Sequence, residues 1–230
     1  RAFTRVAQLT LLLSMSCGKP QPSGLGELST TMYTRADTND ITVYSPRTRI
    51  AAKINDEVTL EATHALDAWS GASIDVRTAA TMPINEVRNE VRAGAAYTGE
   101  QLALSGSYRY STENDYWSHG AAASVGLDLA QRNTQLLLSG YGGHDTVGRA
   151  DDPAFRRPLR QIGAQLTLTQ VVDKHTVAQL GAEAIQLHGY QASPYRFVAV
   201  ETTGTCRSPT DTCRPEYVPE DRYRYALFAR

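Results

Sequence analysis

Residues 101–130 read QLALSGSYRYSTENDYWSHGAAASVGLDLA, and this stretch decides the fold. Leu102, Leu104, Tyr108 and Tyr110 take one set of alternate positions, with Ser105, Ser107 and Arg109 on the other. After a polar break, Ala121, Ala123, Val125, Leu127 and Leu129 alternate with Ser124, Gly126 and Asp128. A period of two places the apolar and polar sets on opposite faces of a strand. The two segments, 101–111 and 117–130, are long for a soluble sheet, whose strands average about 5–6 residues. They suit a tilted strand crossing hydrocarbon, which needs about 9–11.

The same alternation continues outward in both directions. Val58, Leu60, Ala62 and Leu66 oppose Thr59, Glu61, Thr63 and Asp67; Ile162, Ala164, Leu166 and Leu168 oppose Gln161, Gln165, Thr167 and Thr169. The spacing predicts about ten strands, over 27–36, 41–54, 57–67, 86–98, 101–111, 117–130, 134–142, 159–172, 176–188 and 222–230. The 176–188 segment alternates less cleanly and suggests a bulge. Residues 84–92, INEVRNEVR, could form a short helix, but the alternation runs on through Tyr97 and favours a strand.

Short polar turns at Asn55-Asp56, Thr98–Glu100, Arg132-Asn133 and Asp173-Lys174 alternate with longer links at 67–86, 111–117, 142–158 and 189–221. That asymmetry is expected of an up-and-down membrane barrel with short periplasmic turns and long outer loops. A Greek-key sandwich has no reason to sort its loops this way. Tyr33, Tyr44, Tyr97, Tyr110, Tyr116, Tyr141, Tyr190, Tyr195 and Tyr223 gather near strand ends, as interfacial girdles would. The expected fold is therefore all-β, an up-and-down antiparallel transmembrane β-barrel. Its last segment stops mid-pattern at Arg230, so the barrel is expected to be partial.

The 230 residues carry a net charge of −1, which gives no global basic field for nucleic acid. No run of eighteen apolar residues is present, and a mean hydropathy of −0.36 is as compatible with a barrel as with a soluble protein. At the start, Arg1 and Arg5 precede an apolar core, VAQLTLLLSM, and the small triplet Ser14-Met15-Ser16, which reads as an export signal over 1–16. Cys17 follows, as either a lipidation site or a residue beside an ordinary cleavage point. Residues 17–26 form a Pro/Gly linker, and 27–230 the barrel.

Four pieces carry a family resemblance: DAWSGASID at 67–75, LSGY at 138–141, GYQASPYRFV at 189–198 and PEDRYRYA at 219–226. With them the chain, over roughly residues 30–230, resembles the DUF3570 family of bacterial outer-membrane barrels. The resemblance implies a barrel in the outer membrane of a Gram-negative bacterium and no established activity. It supplies no catalytic residues. Family members look longer than this chain.

Asp67, Ser70, Ser73 and Asp75 offer oxygen ligands for a hard cation, with Asp67 and Asp75 the weak metal candidates. A loop held by local side-chain hydrogen bonds is the plainer reading. His144 and Asp145, with Asp151 and Asp152, raise a hydrolytic rim site, but no nucleophile motif accompanies them. Cys206 and Cys213 bracket a short segment, as a local disulfide of an exported protein would. Arg47, Arg49, Arg88, Arg92, Arg109, Arg222 and Arg224 fall on the polar faces and are expected to line a lumen, because charge on the lipid face costs about 2–4 kcal/mol at the midplane.

The sequence thus predicts an outer-membrane pore, porin-like transporter or surface scaffold without cofactor or catalytic residues. Its expected partners are outer-membrane lipid, transiently the barrel-insertion machinery, and an unidentified solute, with no nucleic acid. The rivals are a soluble secreted all-β binding protein and a barrel enzyme with a rim site at His144 and Asp145.

Overall fold

The computed structural model describes residues 9–13, 24–36, 42–70, 85–200 and 212–230. The strands, in chain order, are β1 (Leu9–Leu13), β2 (Gly24–Ala36), β3 (Thr42–Lys53), β4 (Val58–Ser70), β5 (Asn85–Thr98), β6 (Leu102–Thr112), β7 (Tyr116–Leu129), β8 (Thr134–Val147), β9 (Arg157–Asp173), β10 (Thr176–Gly189), β11 (Phe197–Ala199), β12 (Cys213–Pro215) and β13 (Asp221–Ala229). No helix occurs among the described residues.

β1 to β10 and β13 form one sheet of eleven strands in which sequence neighbours pair antiparallel throughout. This is the all-β up-and-down arrangement expected. The described sheet is open, because β1 and β13 do not pair with each other. β11 and β12 form a separate small hairpin inside the long link after β10. Ten of the strands match the segments read from the alternation. Residues 85–92 of INEVRNEVR lie within β5 as strand, with Ile84 outside the described residues, and the 176–188 segment carries its expected bulge as a register shift between Thr176 and Val177. Leu9–Leu13, inside the segment expected as an export signal, lies as strand along Thr30–Thr34 of β2.

The connections depart from the expected strict alternation. On the long-link side, β6 and β7 are joined by residues 113–115 alone, with Glu113 N–H donating to the Tyr116 carbonyl at 2.7 Å. Polar β-rich residues at Ser111, Thr112 and Tyr116 extend both strands into what looked like loop. The opposite turn at 130–133 holds Ala130, Gln131 and Arg132 at φ of 49°, 57° and 67°. Three left-handed non-glycine residues in succession are costly, at about 1–2 kcal/mol each, and the Asn133 N–H closes the turn on the Ala130 carbonyl at 3.1 Å.

One layer of sheet has no second layer to bury against, and none of the described side chains is fully buried. Register fixes which residues share each face. One ladder across the sheet reads Val58, Tyr97, Leu104, Val125, Leu138 and Leu166; the next residue along each strand belongs to the other face. The apolar face is open, with Ile162 63 % and Leu138 51 % exposed. On β8 it is free of charge from Thr134 until His144, and on β9 from Gln170 until Arg160. About ten residues at roughly 3.4 Å each, tilted by about 40°, cover about 26 Å, close to the apolar band of a membrane barrel.

Candidate functional site: the polar face and its rim

Alternation puts Arg47, Arg49, Arg88, Arg92, Arg109, Arg222 and Arg224 on the face opposite the Leu104–Leu138 ladder. Most are paired. Arg49 meets Glu61 at 2.7 Å and Glu27 at 3.2 Å; Arg88 meets Asp67 at 2.5 Å. Glu90 pairs with both Arg92, at 3.7 Å, and Arg109, at 3.6 Å. Arg222 and Arg224 have no ion pair among the described residues.

Asp67, one of the two weak metal candidates, is thereby engaged by Arg88 and by the Ser45 hydroxyl. Asp75 lies outside the described residues, and no group of three metal-ligating side chains is found among those described. Cys213 is disulfide-bonded, and its expected partner Cys206 lies outside the described residues.

His144 and Asp145 separate onto opposite faces. His144 stands on the apolar face opposite His119, while Asp145 Oδ2 accepts from the Tyr116 hydroxyl at 2.6 Å on the polar face. Asp151 and Asp152 are held by Arg149 at 2.7 and 3.0 Å. The hydrolytic rim constellation is not assembled, because neighbours in a strand point apart.

The polar face contains a recess that sequence reasoning missed. It has a volume of about 200 Å³, is floored by Gly120, Ala122 and Gly143, and is edged by Arg92, Arg109 and Gln161. Asp145 Oδ1 is buried there and accepts no hydrogen bond from the described residues. Tyr141, also at its edge, donates to Glu183 at 3.0 Å. Guanidinium donors and an unsatisfied carboxylate acceptor within one recess suit a small polar solute. The available signal was the cluster of Gly and Ala on polar-face positions of β7 and β8.

Above this face the link between β10 and β13 reaches across strand ends. Tyr195 donates to Asp115 in the β6–β7 turn and accepts from Ala150 N–H at 2.8 Å in the β8–β9 link. Phe155 packs edge-on against Tyr190 at 5.4 Å, and Arg149 and Arg157 stack on Phe155. Burial, and then the bond to Asp115, push the Tyr195 phenol up. Burial, with Glu86 beside it, raises the Glu113 carboxyl above its ordinary range. Tyr116 and Tyr141 belong to these polar networks and not to an interfacial girdle, whereas Tyr44, Tyr97, Tyr110 and Tyr223 do stand on the apolar face.

A family model described as "Protein of unknown function (DUF3570)" matches residues 76–230. The chain belongs to the DUF3570 family. The match starts beyond the DAWSGASID segment at 67–75, so that piece of the resemblance falls outside it. Among solved structures, this DUF3570 chain is similar to OmpT, an outer membrane protein of Vibrio cholerae, folded in vitro and in trimer form. The TM-score is 0.47 at 13 % identity, over 87 % of this chain and 63 % of that one. This chain therefore spans less than two thirds of the OmpT structure's length. No curated protein matches it.

Proposed function

We propose that this DUF3570 protein is an outer-membrane β-barrel whose polar face lines a lumen and passes a small polar solute. The observation that carries the reading is the segregation of faces. The outward positions are uncharged over about 26 Å, while ion-paired arginines and carboxylates occupy the inward ones. In water so much exposed apolar surface is an aggregation liability; in hydrocarbon it is matched to its solvent. The paired charges favour a narrow, mixed-polarity path over a broad anion channel, and the recess at Arg92, Arg109 and Asp145 is its solute contact. An export signal, Gram-negative origin, transient engagement of the barrel-insertion machinery and a porin-like role belong to this reading.

The test is gel mobility of the full-length protein from outer-membrane fractions, with and without boiling, followed by planar-bilayer conductance. A boiling-dependent shift with discrete conductance supports a pore. A shift with no conductance leaves a plugged surface scaffold. Recovery from the soluble periplasm or medium without detergent favours the secreted binding protein instead.

A further inference from the structure

The apolar face breaks its own rule along a single line. Within the described strands of the sheet, the Arg, Lys, His, Asp and Glu residues on that face are His64, His119, His144, Arg160, His188 and Asp221. All six fall on one cross-strand row: His64 pairs Val91, Val91 pairs Tyr110, Tyr110 pairs His119, His119 pairs His144, His144 pairs Arg160, Arg160 pairs His188 and His188 pairs Asp221. On β7 to β10 the row lies at the long-link end of the apolar band, whereas on β4 Leu66 and Ala68 continue the face beyond His64. Its central members, His119, His144 and Arg160, are adjacent on three neighbouring strands and span about 10 Å.

Nitrogen donors on a hydrocarbon-facing row cost free energy unless each meets an acceptor. The row's single acid, Asp221, is taken by His188 at 2.8 Å. Arg160 and His144 are exposed and have no hydrogen bond or ion pair among the described residues. The Tyr108 hydroxyl lies 2.5 Å from His119 Nδ1, which fixes the ring, and Tyr110 packs against it, tilted by 44°, at 4.9 Å. One step farther toward the long links, Trp117 stands on the same face with Arg156 over its ring at 4.3 Å. Aromatic rings beside outward cations, at the edge of an uncharged band, are the arrangement of a membrane interface.

We propose that His119, His144 and Arg160 form a docking site for the phosphate of an anionic membrane lipid in the leaflet on the long-link side. Arg160 supplies a fixed charge and paired donors, and the imidazoles supply N–H donors, the chemistry that holds a phosphate oxygen. The acyl chains then lie against the shallow face below, where Ala121, Ala123, Gly140, Gly142 and Ala164 keep the surface low beside Ile162. This inference rests on the membrane reading above and adds the lipid class the surface selects.

The test uses Trp117 as reporter in the full-length protein carrying Trp69→Phe, which leaves one tryptophan. The protein is reconstituted in phosphatidylcholine vesicles doped with either brominated phosphatidic acid or brominated phosphatidylcholine. Each interfacial cation contributes roughly a fivefold preference for anionic lipid, so phosphatidic acid should quench Trp117 at about one fifth the dose. His144→Gln with Arg160→Gln should bring the two lipids near parity, and Arg160→Lys should keep most of the preference. Equal quenching in the parent, or a preference untouched by the double variant, overturns the lipid site and leaves the barrel standing. No quenching by either lipid overturns both. Loss of the preference in millimolar inorganic phosphate, but not in chloride of equal ionic strength, would assign the row to free phosphate and overturn the lipid as occupant.

Discussion

Tyr195 donates its hydroxyl to Asp115, a residue 80 positions earlier, and so ties the link after β10 to the turn between β6 and β7. The same oxygen receives the Ala150 N–H. One side chain thereby joins three links over the end of the polar face. Tyr195→Phe removes both bonds while keeping the ring. A hydrogen bond to a charged group contributes about 1.5–3 kcal/mol, enough to populate an open link. Proteolysis within residues 190–220 should then be faster, and single-channel current larger, than in the parent. Unchanged current with faster proteolysis would mean that the link does not limit passage.

Glu113 sits half-buried beside Glu86 and Asp115, and burial raises its carboxyl above the ordinary 4.5. The folded rim therefore binds a proton more readily than the unfolded chain does. The resulting stabilisation is complete below pH about 4.5 and is lost as pH rises through the raised value. Mild acidification from neutral should protect the β6–β7 turn in amide hydrogen exchange. Glu113→Gln, neutral at every pH, should show that protection already at neutral pH and flatten its pH dependence.

Glu90 bridges Arg92 and Arg109, cross-strand partners on β5 and β6, at 3.7 and 3.6 Å. Glu90→Gln removes the negative member and leaves two guanidinium groups beside the recess. In bilayers under a salt gradient, the reversal potential should shift toward anion selectivity, most strongly at low ionic strength, where screening is weakest. An unshifted potential would place the conduction path away from these residues.

Gly163 faces Tyr141 across the β8–β9 ladder, and a Cβ built at Gly163 would come within 2.3 Å of Tyr141 Cζ, closer than contact allows. Gly163→Ala should displace the ring, break its 3.0 Å bond to Glu183 and cost about 1–3 kcal/mol. Tyr141→Phe removes only the hydroxyl and should cost about 1 kcal/mol. Unfolding in urea from detergent micelles compares the two, and an equal cost for both would mean the ring has room to move.

Strand identity was legible because it is local. A period of two at Leu102–Tyr110 or Ala121–Leu129 assigns each side chain to a face whichever strand lies beside it. The same rule put Arg88 and Arg109 on the polar face, where strand pairing places them, but it did not reach His144 and Asp145, which were read as part of the 142–158 link and lie on β8. It could not locate the strand ends at 112 and 116, where polar residues extend β6 and β7 and shorten an expected long link.

Register belongs to pairs of strands, set by turn length and by the bulge at Thr176. Only tertiary pairing could therefore bring His119, His144 and Arg160 into one row or floor a recess with Gly120 and Gly143. It also placed Tyr195 on Asp115, across the ends of strands that are not sequence neighbours. The sequence by itself determined which residues face together along each strand, because alternation is a property of one chain segment. Which of those residues meet across strands depends on hydrogen-bond register between segments far apart in sequence, and that was decided by the tertiary structure.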